Sequence, residues 1–381
     1  MSRIVIVISD PFLRRLTPSL AATMRLGTEF RIIDIHRPFA QIHSLLETNN
    51  PDGLITEWLP GTTEKLLKLG YPTVIADTDF TYPGVASIDV DDVATGHVAA
   101  QYFLDAGYSH FAFVGTDRPY SDQRERGFRE LLTRSGKRCH SYPEKEISNR
   151  HYMEIWDAPP TALRDWLRAL PKPIGIFAAH DPLGRLICEA GREAGVSIPD
   201  EISVLGANND ELVCGLCHPA LSSVVLPWDR IGGAVGAAME ALLTGKKAPR
   251  QPTLFPPGGV VQRHSTTLLA VEDSSLRRAL DYLRKNAVNP ITIGAMCHEL
   301  RVSRRVIEQR FSKYLHATPW EILSRMRVER AKSILLSTDQ PISRIAEMCG
   351  FGDAERFAVV FRRHVGESPS SFRKGGRSTG T

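Results

Sequence analysis

A chain of 381 residues exceeds what one ordinary hydrophobic core organises, so two or three domains are expected. Its 42% hydrophobic and 24% charged content is ordinary for a globular protein, and no apolar run approaches the ~20 residues of a membrane helix, so a membrane partner is excluded. The net charge of +4 is uneven: residues 272–381 hold 20 Lys and Arg against 12 Asp and Glu, a net of +8, which leaves −4 for residues 1–271. A basic part behind an acidic body points to a polyanionic partner, and a solvated basic face is the plainer alternative.

The opening stretch, residues 3–8, is apolar but brief, without a basic leader or a small-residue cleavage site. It reads as a first strand instead of a signal peptide, so the six cysteines are expected reduced and the location cytoplasmic. Further strands are expected over 30–35, 53–57, 73–77, 86–89, 111–115, 175–179 and 203–206, mostly too apolar to alternate, as buried parallel strands are. Helical patterns over 95–106, 123–135, 182–194 and 228–243 lie between several of them, which predicts a doubly wound α/β fold. Ligands in such sheets bind beyond the carboxyl ends of the strands, so the polar residues there carry most weight: Asp10, Asp77, His180, Asp181 and Asn208 to Asp210.

Two patterns in this region are decoys. Cys214-Gly215-Leu216-Cys217-His218 matches the C-x-x-C-H haem-attachment pattern, but that chemistry requires export, and neither haem, zinc nor a redox role is expected. Gly232, Gly233 and Gly236 do not match G-x-G-x-x-G, and they read as helix positions that allow close packing. No nucleophile elbow, paired carboxylates or Walker loop stands in a convincing context, so no catalytic residue, metal or cofactor is assigned.

Residues 246–257 are rich in proline and basic residues, and residues 260–266 read as a closing strand. Residues 267–275 are the expected linker, with a domain boundary near 270 (1–270 and 271–381) and Glu272 to Ser275 able to cap a helix over 276–286. After the break at Asn289-Pro290, a short helix over 292–300 meets a turn at Arg301-Val302, and Ser303 caps the next helix. Ile307 and Phe311 face inward at i, i+4 there, and Cys297 takes the small-residue position where the helices cross. A long helix starts near Pro319, carrying Leu323, Met326, Ala331, Ile334 and Leu335 inward and Arg325, Arg327, Arg330 and Lys332 around them. The pattern then repeats: Ala346 at the crossing, Gly350 in a turn that favours positive φ, and Phe357 and Phe361 on the core side. These are two helix-turn-helix units, whose second helices would lie in successive major grooves about 34 Å apart. Ser303, Arg304, Arg305, Glu308, Gln309 and Ser312 are the candidate contacts of the first, and Ala354, Glu355, Arg356, Val359 and Arg363 of the second. Arginine suits guanine, glutamine adenine, glutamate the cytosine amino group, and alanine or valine the thymine methyl, while Arg356, Arg362, Arg363 and Arg373 are placed for phosphates.

Two resemblances cover most of the chain. Val85 to Asp92, Gly96-His97, Phe103 to Tyr108, Arg124 to Phe128, Glu193 to Gly206 and Pro219 to Val224 resemble LacI/GalR-type sugar-sensing domains. That family implies a two-lobed periplasmic-binding-protein-like sensor, with three crossovers and a small molecule in its cleft. It also implies ligand contacts at Asp77, Arg124, His180, Asn208 and Trp228, with the Phe12 region a weaker candidate. Asn208 departs from the aspartate usual there, and an amide that also donates leaves the identity of the sugar open. Plainer roles stand beside these: a turn cap for Asp77, a surface ion pair for Arg124, core packing for Trp228. Residues 276–374 resemble the AraC-type DNA-binding domain, its signature stretches being Arg327 to Lys332 and Ile345 to Asp353. The order, sensor first and reader second, resembles the bacterial xylose-operon regulators of the XylR type.

The expectation is therefore an α/β two-lobed sensor plus an all-α C-terminal domain with two helix-turn-helix units. The resemblance implies a cytoplasmic regulator, not an enzyme, that acts as a homodimer on double-stranded promoter DNA. Its effector would be a sugar, D-xylose foremost, its effect activation, and RNA polymerase a further partner. The alternative is a sugar-processing enzyme domain with a DNA-binding appendage.

Overall fold

The computed structural model describes every residue except 1, 25–26, 79, 144–157, 267–272, 290, 316 and 376–381. The chain begins with β1 (Arg3–Ile8), α1 (Asp10–Thr23), β2 (Glu29–Asp34), α2 (Phe39–Asn49), β3 (Gly53–Glu57), α3 (Thr63–Leu67), β4 (Thr73–Ala76) and β5 (Ala86–Val90). There follow α4 (Asp92–Asp105), β6 (His110–Val114), α5 (Pro119–Arg134), β7 (Cys139–Ser141), α6 (Thr161–Ala169), β8 (Ile174–Ala178), α7 (Asp181–Glu193), β9 (Ile202–Asn208), α8 (Glu211–Leu216) and β10 (Ser222–Val225). Then come α9 (Trp228–Leu243), β11 (Thr253–Phe255) and β12 (Val260–Val261). The rest is helical: α10 (Ser274–Lys285), α11 (Ile293–Leu300), α12 (Arg304–Leu315), α13 (Pro319–Ser337), α14 (Ile342–Met348), α15 (Ala354–Val365) and α16 (Pro369–Gly375).

Two compact units emerge, one of Met1–Asp91 with Pro227–Pro256, the other of Asp92–Leu226 with Pro257–Gly375. The first holds a six-stranded sheet of order β11-β5-β4-β3-β1-β2, parallel throughout. The second holds the order β12-β10-β9-β8-β6-β7, parallel except where β12 runs against β10. Central strands such as β3, β4 and β8 are buried along their whole length, as their mostly apolar sequences suit. The eight strands expected from the sequence all form, shifted by a residue or two at their ends.

Two of the strands missed from the sequence, β7 and β11, are three-residue edge pieces with no apolar period to reveal them. Strand β11 exists only because residues 253–255 pair with β5, more than 160 positions earlier, which no local signal encodes. Strand β10 carries two buried serines, and one of them, Ser223, donates to the fully buried carboxylate of Asp181.

Glycines set the helix packing. A Cβ on Gly96 of α4 would lie 2.1 Å from the Arg124 carbonyl oxygen, and one on Gly127 of α5 would lie 2.0 Å from that of Val93. The two backbones therefore touch and cannot slide independently. In the first unit Gly232 of α9 meets the Leu16 carbonyl of α1 in the same way, as the packing reading of that glycine-rich stretch requires.

The C-terminal helices build two small cores. Leu276, Leu280, Leu283, Met296, Ile307 and Phe311 form one with Ile322 and Leu323 of α13. Val328, Ala331 and Leu335 of the same helix form the other with Ile345, Ala346, Phe351, Phe357, Phe361 and Phe372. The helix starts are capped, that of α10 from within the stretch 272–275 that the sequence suggests. The Asp273 carboxylate accepts the Leu276 N–H at 2.9 Å, and the Thr292 hydroxyl accepts that of Ala295 at 3.1 Å. Thr318 and Glu321 make a reciprocal capping box on α13, and Asp353 caps α15. Of the expected linker, residues 267–272 lie outside the described residues, and the boundary near 270 falls among them.

Candidate functional site

In the first helix-turn-helix, α11 ends on Arg301 at φ +54°, a left-handed residue closing the helix where glycine is commoner. The Ser303 hydroxyl then accepts the Val306 N–H at 3.3 Å and starts α12. With Ile307 and Phe311 buried, Ser303, Arg304, Arg305, Glu308, Gln309 and Ser312 are all exposed. Arg304 and Glu308 pair at 2.8 Å along the helix, while Arg305 and Gln309 stand one turn apart beside them. In the second unit Gly350 turns the chain at φ +77° and Asp353 accepts the Arg356 N–H at 2.6 Å. Glu355, Arg356, Val359 and Arg363 are exposed and Ala354 is half-buried. Val359 is 70% exposed, an apolar side chain that the core of its own helix does not use. All eleven residues thus lie off the cores, six on α12 and its cap and five on α15.

Three arginines have other duties: Arg325 and Arg327, read as surrounding the inward face of the long helix, and Arg373, read as a phosphate contact. Arg327 is buried at 4% exposure, and its guanidinium donates to the carbonyls of Ala287 and Asn289 at 2.8 and 2.7 Å. Burial, and after it the charge of Arg356, lowers its pKa from the ordinary arginine value. Arg325 pairs with Asp105 at 2.6 Å, and Arg373 donates to the Gln340 carbonyl at 2.6 Å. Periodicity puts Arg325 and Arg327 near the rim of their helix, and only the folded chain supplies the acceptors that draw these side chains in.

The expected effector residues divide between the two units. In the first, Asp77 follows β4 at φ +69° and is half-buried, its N–H bonded to the Ile88 carbonyl. Trp228 opens α9, crosses the Phe12 ring edge-on at 5.0 Å and lies under Arg15. Its indole Nε1 is buried without a hydrogen-bond partner among the described residues. In the second unit Arg124 is 3% exposed, pairs through Nε with Asp92 at 2.6 Å and donates to the Ala179 carbonyl at 2.6 Å. A surface ion pair is therefore not its role. His180 caps α7, its Nδ1 accepting the Leu183 N–H at 3.2 Å, and its ring faces Tyr120, over which Arg124 also lies. Asn208 ends β9 at φ +109°, and the next residue, Asn209, also has positive φ and accepts from Arg263 at 2.9 Å. Strain of this kind persists only where surrounding structure enforces it.

Sequence reading passed over Glu57, although the rule that selects Asp77 selects it too. It ends β3, is buried, and its carboxylate accepts the hydroxyl of Ser9 at 2.8 Å and its N–H at 3.2 Å. Trp58 beside it donates to the Tyr82 hydroxyl at 2.9 Å and meets Phe80 edge-on. Cys214 and Cys217 are both buried, and burial raises the Cys214 thiol pKa above the ordinary range.

Helix α4 runs between Arg124 and α13 within the second unit. Its first residue, Asp92, holds Arg124, and its last, Asp105, accepts from Arg325 of α13 and from Gln101. Burial raises the Asp105 carboxyl pKa, against the pull of Arg325. A Cβ on Gly259 would meet the Glu329 carbonyl oxygen at 3.1 Å, so α13 also lies close to the backbone before β12.

Comparison with known proteins agrees with this layout. Residues 100–266 match the model of a periplasmic binding protein-like domain and residues 296–375 that of a helix-turn-helix domain. A solved structure described as the xylose-binding transcription activator XylR shares the fold, with a TM-score of 0.60 over 98% of both chains at 24% identity. The xylose operon regulatory protein of Escherichia coli is 29% identical over 77% of this chain and 75% of its own. That of Haemophilus influenzae is 30% identical over 332 residues, 84% of either chain. The relatives are regulators, which removes the enzyme alternative, and the chain belongs to the family of xylose operon regulatory proteins, a periplasmic-binding-protein-like α/β part followed by a helix-turn-helix part.

Proposed function

We propose that the chain is a sugar-responsive, DNA-binding transcription regulator that activates pentose-utilisation genes, with D-xylose as its effector. Residues 1–270 form the sensor and 271–381 the reader. The observation that carries this reading is the pair of capped helices α12 and α15, whose exposed rows point away from two separate phenylalanine-containing cores. It stands in a chain whose relatives are named for xylose operons. Arg305 and Gln309 are suited to guanine and adenine, Glu355 to a cytosine amino group, and Ala354 and Val359 to thymine methyls. Ser303, Arg304, Arg356 and Arg363 serve the backbone, with Glu308 and Ser312 at the edge of the row.

For the effector, Asp77, Arg124, His180 and Asn208 offer carboxylate, guanidinium, imidazole and amide groups, the set that pairs vicinal hydroxyls. Trp228 offers an aromatic face for the C–H side of a sugar ring. Binding shifts the population of sensor conformations, and α4, fixed to α5 by the paired glycines, carries the change from Arg124 to Arg325. The protein acts in the cytoplasm as a homodimer on repeated promoter half-sites, where RNA polymerase is the next partner. Calorimetry of the full chain with D-xylose, L-arabinose, D-ribose and D-glucose tests the sensor. Saturable heat is expected with a pentose, and silence with all four would remove the sugar from this account.

A further inference from the structure

Among the described residues the two reader cores share no helix but α13. The first core takes Ile322 and Leu323 from it and the second takes Val328, Ala331 and Leu335. A shared helix alone would let each half rock about its own packing surface. Arg327 stands in the sequence where α13 changes cores, and it is buried. Its guanidinium donates to Ala287 and Asn289, carbonyls of the α10–α11 connection in the first half. The guanidinium also lies 5.7 Å from the ring of Phe351, at the turn of the second half, and 5.8 Å from that of Trp320. The same Ala287 carbonyl would be 2.6 Å from a Cβ on Gly350, so the turn of the second unit rests directly on the loop that Arg327 grips. Arg356, on the recognition helix of the second half, covers Trp320 at 4.6 Å.

We propose that Arg327 is the positioning residue that locks the two recognition helices at one separation and angle, and so fixes the spacing between the two DNA sub-sites the protein accepts. A planar fork of donors is required, because two carbonyls two residues apart in one loop must be bound together while the same guanidinium lies over two rings. A lysine ammonium satisfies one carbonyl as a point charge and stacks on neither ring in the same way. The inference rests on the DNA-reading proposal. In DNA, one inserted base pair moves a sub-site by about 3.4 Å and rotates it by roughly 35°, more than a locked pair can follow.

The test selects a two-part site for the full-length protein from a random-sequence duplex pool, then measures affinity for that site with one or two base pairs inserted or deleted between its parts. The wild-type chain should lose about tenfold or more per step, within the range of a wrong base pair. Arg327→Met and Arg327→Lys should select the same two sub-sites but lose less than threefold per step. Hydrogen exchange across α12 and α15 reports whether each variant keeps both halves folded, and if the methionine form does not, the lysine form decides. A lysine variant with the wild-type spacing profile, or one weakened equally at every spacing, would overturn the proposal. Failure to enrich any site would overturn the DNA reading itself and this inference with it, whereas an enriched site with an unchanged spacing profile overturns only the role of Arg327.

Discussion

Arg305 and Gln309 differ from their neighbours in what the fold leaves them free to do. Arg304 on one side is paired with Glu308, and Ile307 between them is buried, so the base-reading assignment falls on Arg305 and Gln309, exposed long side chains outside that pair. Replacing Arg305 by alanine should therefore relax preference at one base pair, at a cost of about 1–3 kcal/mol against the correct base. Gel shifts on all four variants of that base pair would measure it. Equal weakening on all four would instead assign Arg305 to phosphate. At the same scale the sequence misjudged Arg327. Its spacing within the helix is that of a rim residue, and its burial depends on carbonyls forty residues earlier in the chain.

At the scale of elements, α4 is the part with most consequence. Its two terminal aspartates face different partners, Arg124 at the start and Arg325 at the end, and its contact with α5 is too close for independent movement. Asp105→Asn keeps the shape but removes the charge that holds Arg325. If α4 transmits the effector signal, this variant should bind sugar within twofold of the wild type. The sugar-induced change in DNA affinity, commonly about 5–150-fold in coupled systems, should fall toward one. Calorimetry and gel shifts with and without sugar make the comparison, and an undiminished change would put the route elsewhere. The raised Asp105 pKa gives a second handle. The native carboxyl takes up its proton at a pH above the ordinary value of 3.8, so the ion pair with Arg325 is complete only above that raised pKa. It is lost, as pH falls, sooner than for an exposed aspartate.

For the whole molecule, the division of charge should be measurable. Residues 272–381 carry a net of +8 and the remainder −4, so the acidic body opposes the approach of DNA to the basic part. At low salt a fragment of residues 271–381 should bind non-specific duplex more tightly than the full chain. The gap should close as salt shortens the screening length from about 10 Å at 0.1 M to about 3 Å at 1 M. A gap that survives high salt would mean the body interferes by contact and not by charge.

What the sequence determined by itself was whatever local periodicity and turn chemistry encode. Mostly apolar runs marked the eight main strands, and the i, i+4 pairs Ile307/Phe311 and Phe357/Phe361, with the Ser303 cap on the first, marked the helices α12 and α15. The positive φ of Gly350 was legible because few other residues tolerate it. The eleven reader residues could be named for the same reason, since a helix with one buried stripe leaves its opposite face exposed by geometry alone. Only the tertiary structure decided which polar groups are engaged with one another. The edge strand β11, the pairing of Arg124 with Asp92, the hold of Asp105 on Arg325 and the burial of Arg327 each join positions tens to hundreds of residues apart. The physical reason is that a charged side chain is buried only where folding delivers its acceptors, and no short stretch of sequence contains both. The paired helix-turn-helix could thus be read from a string of letters, but the hydrogen bonds of Arg327 to the α10–α11 loop and the ion pair of Arg325 with Asp105 could not.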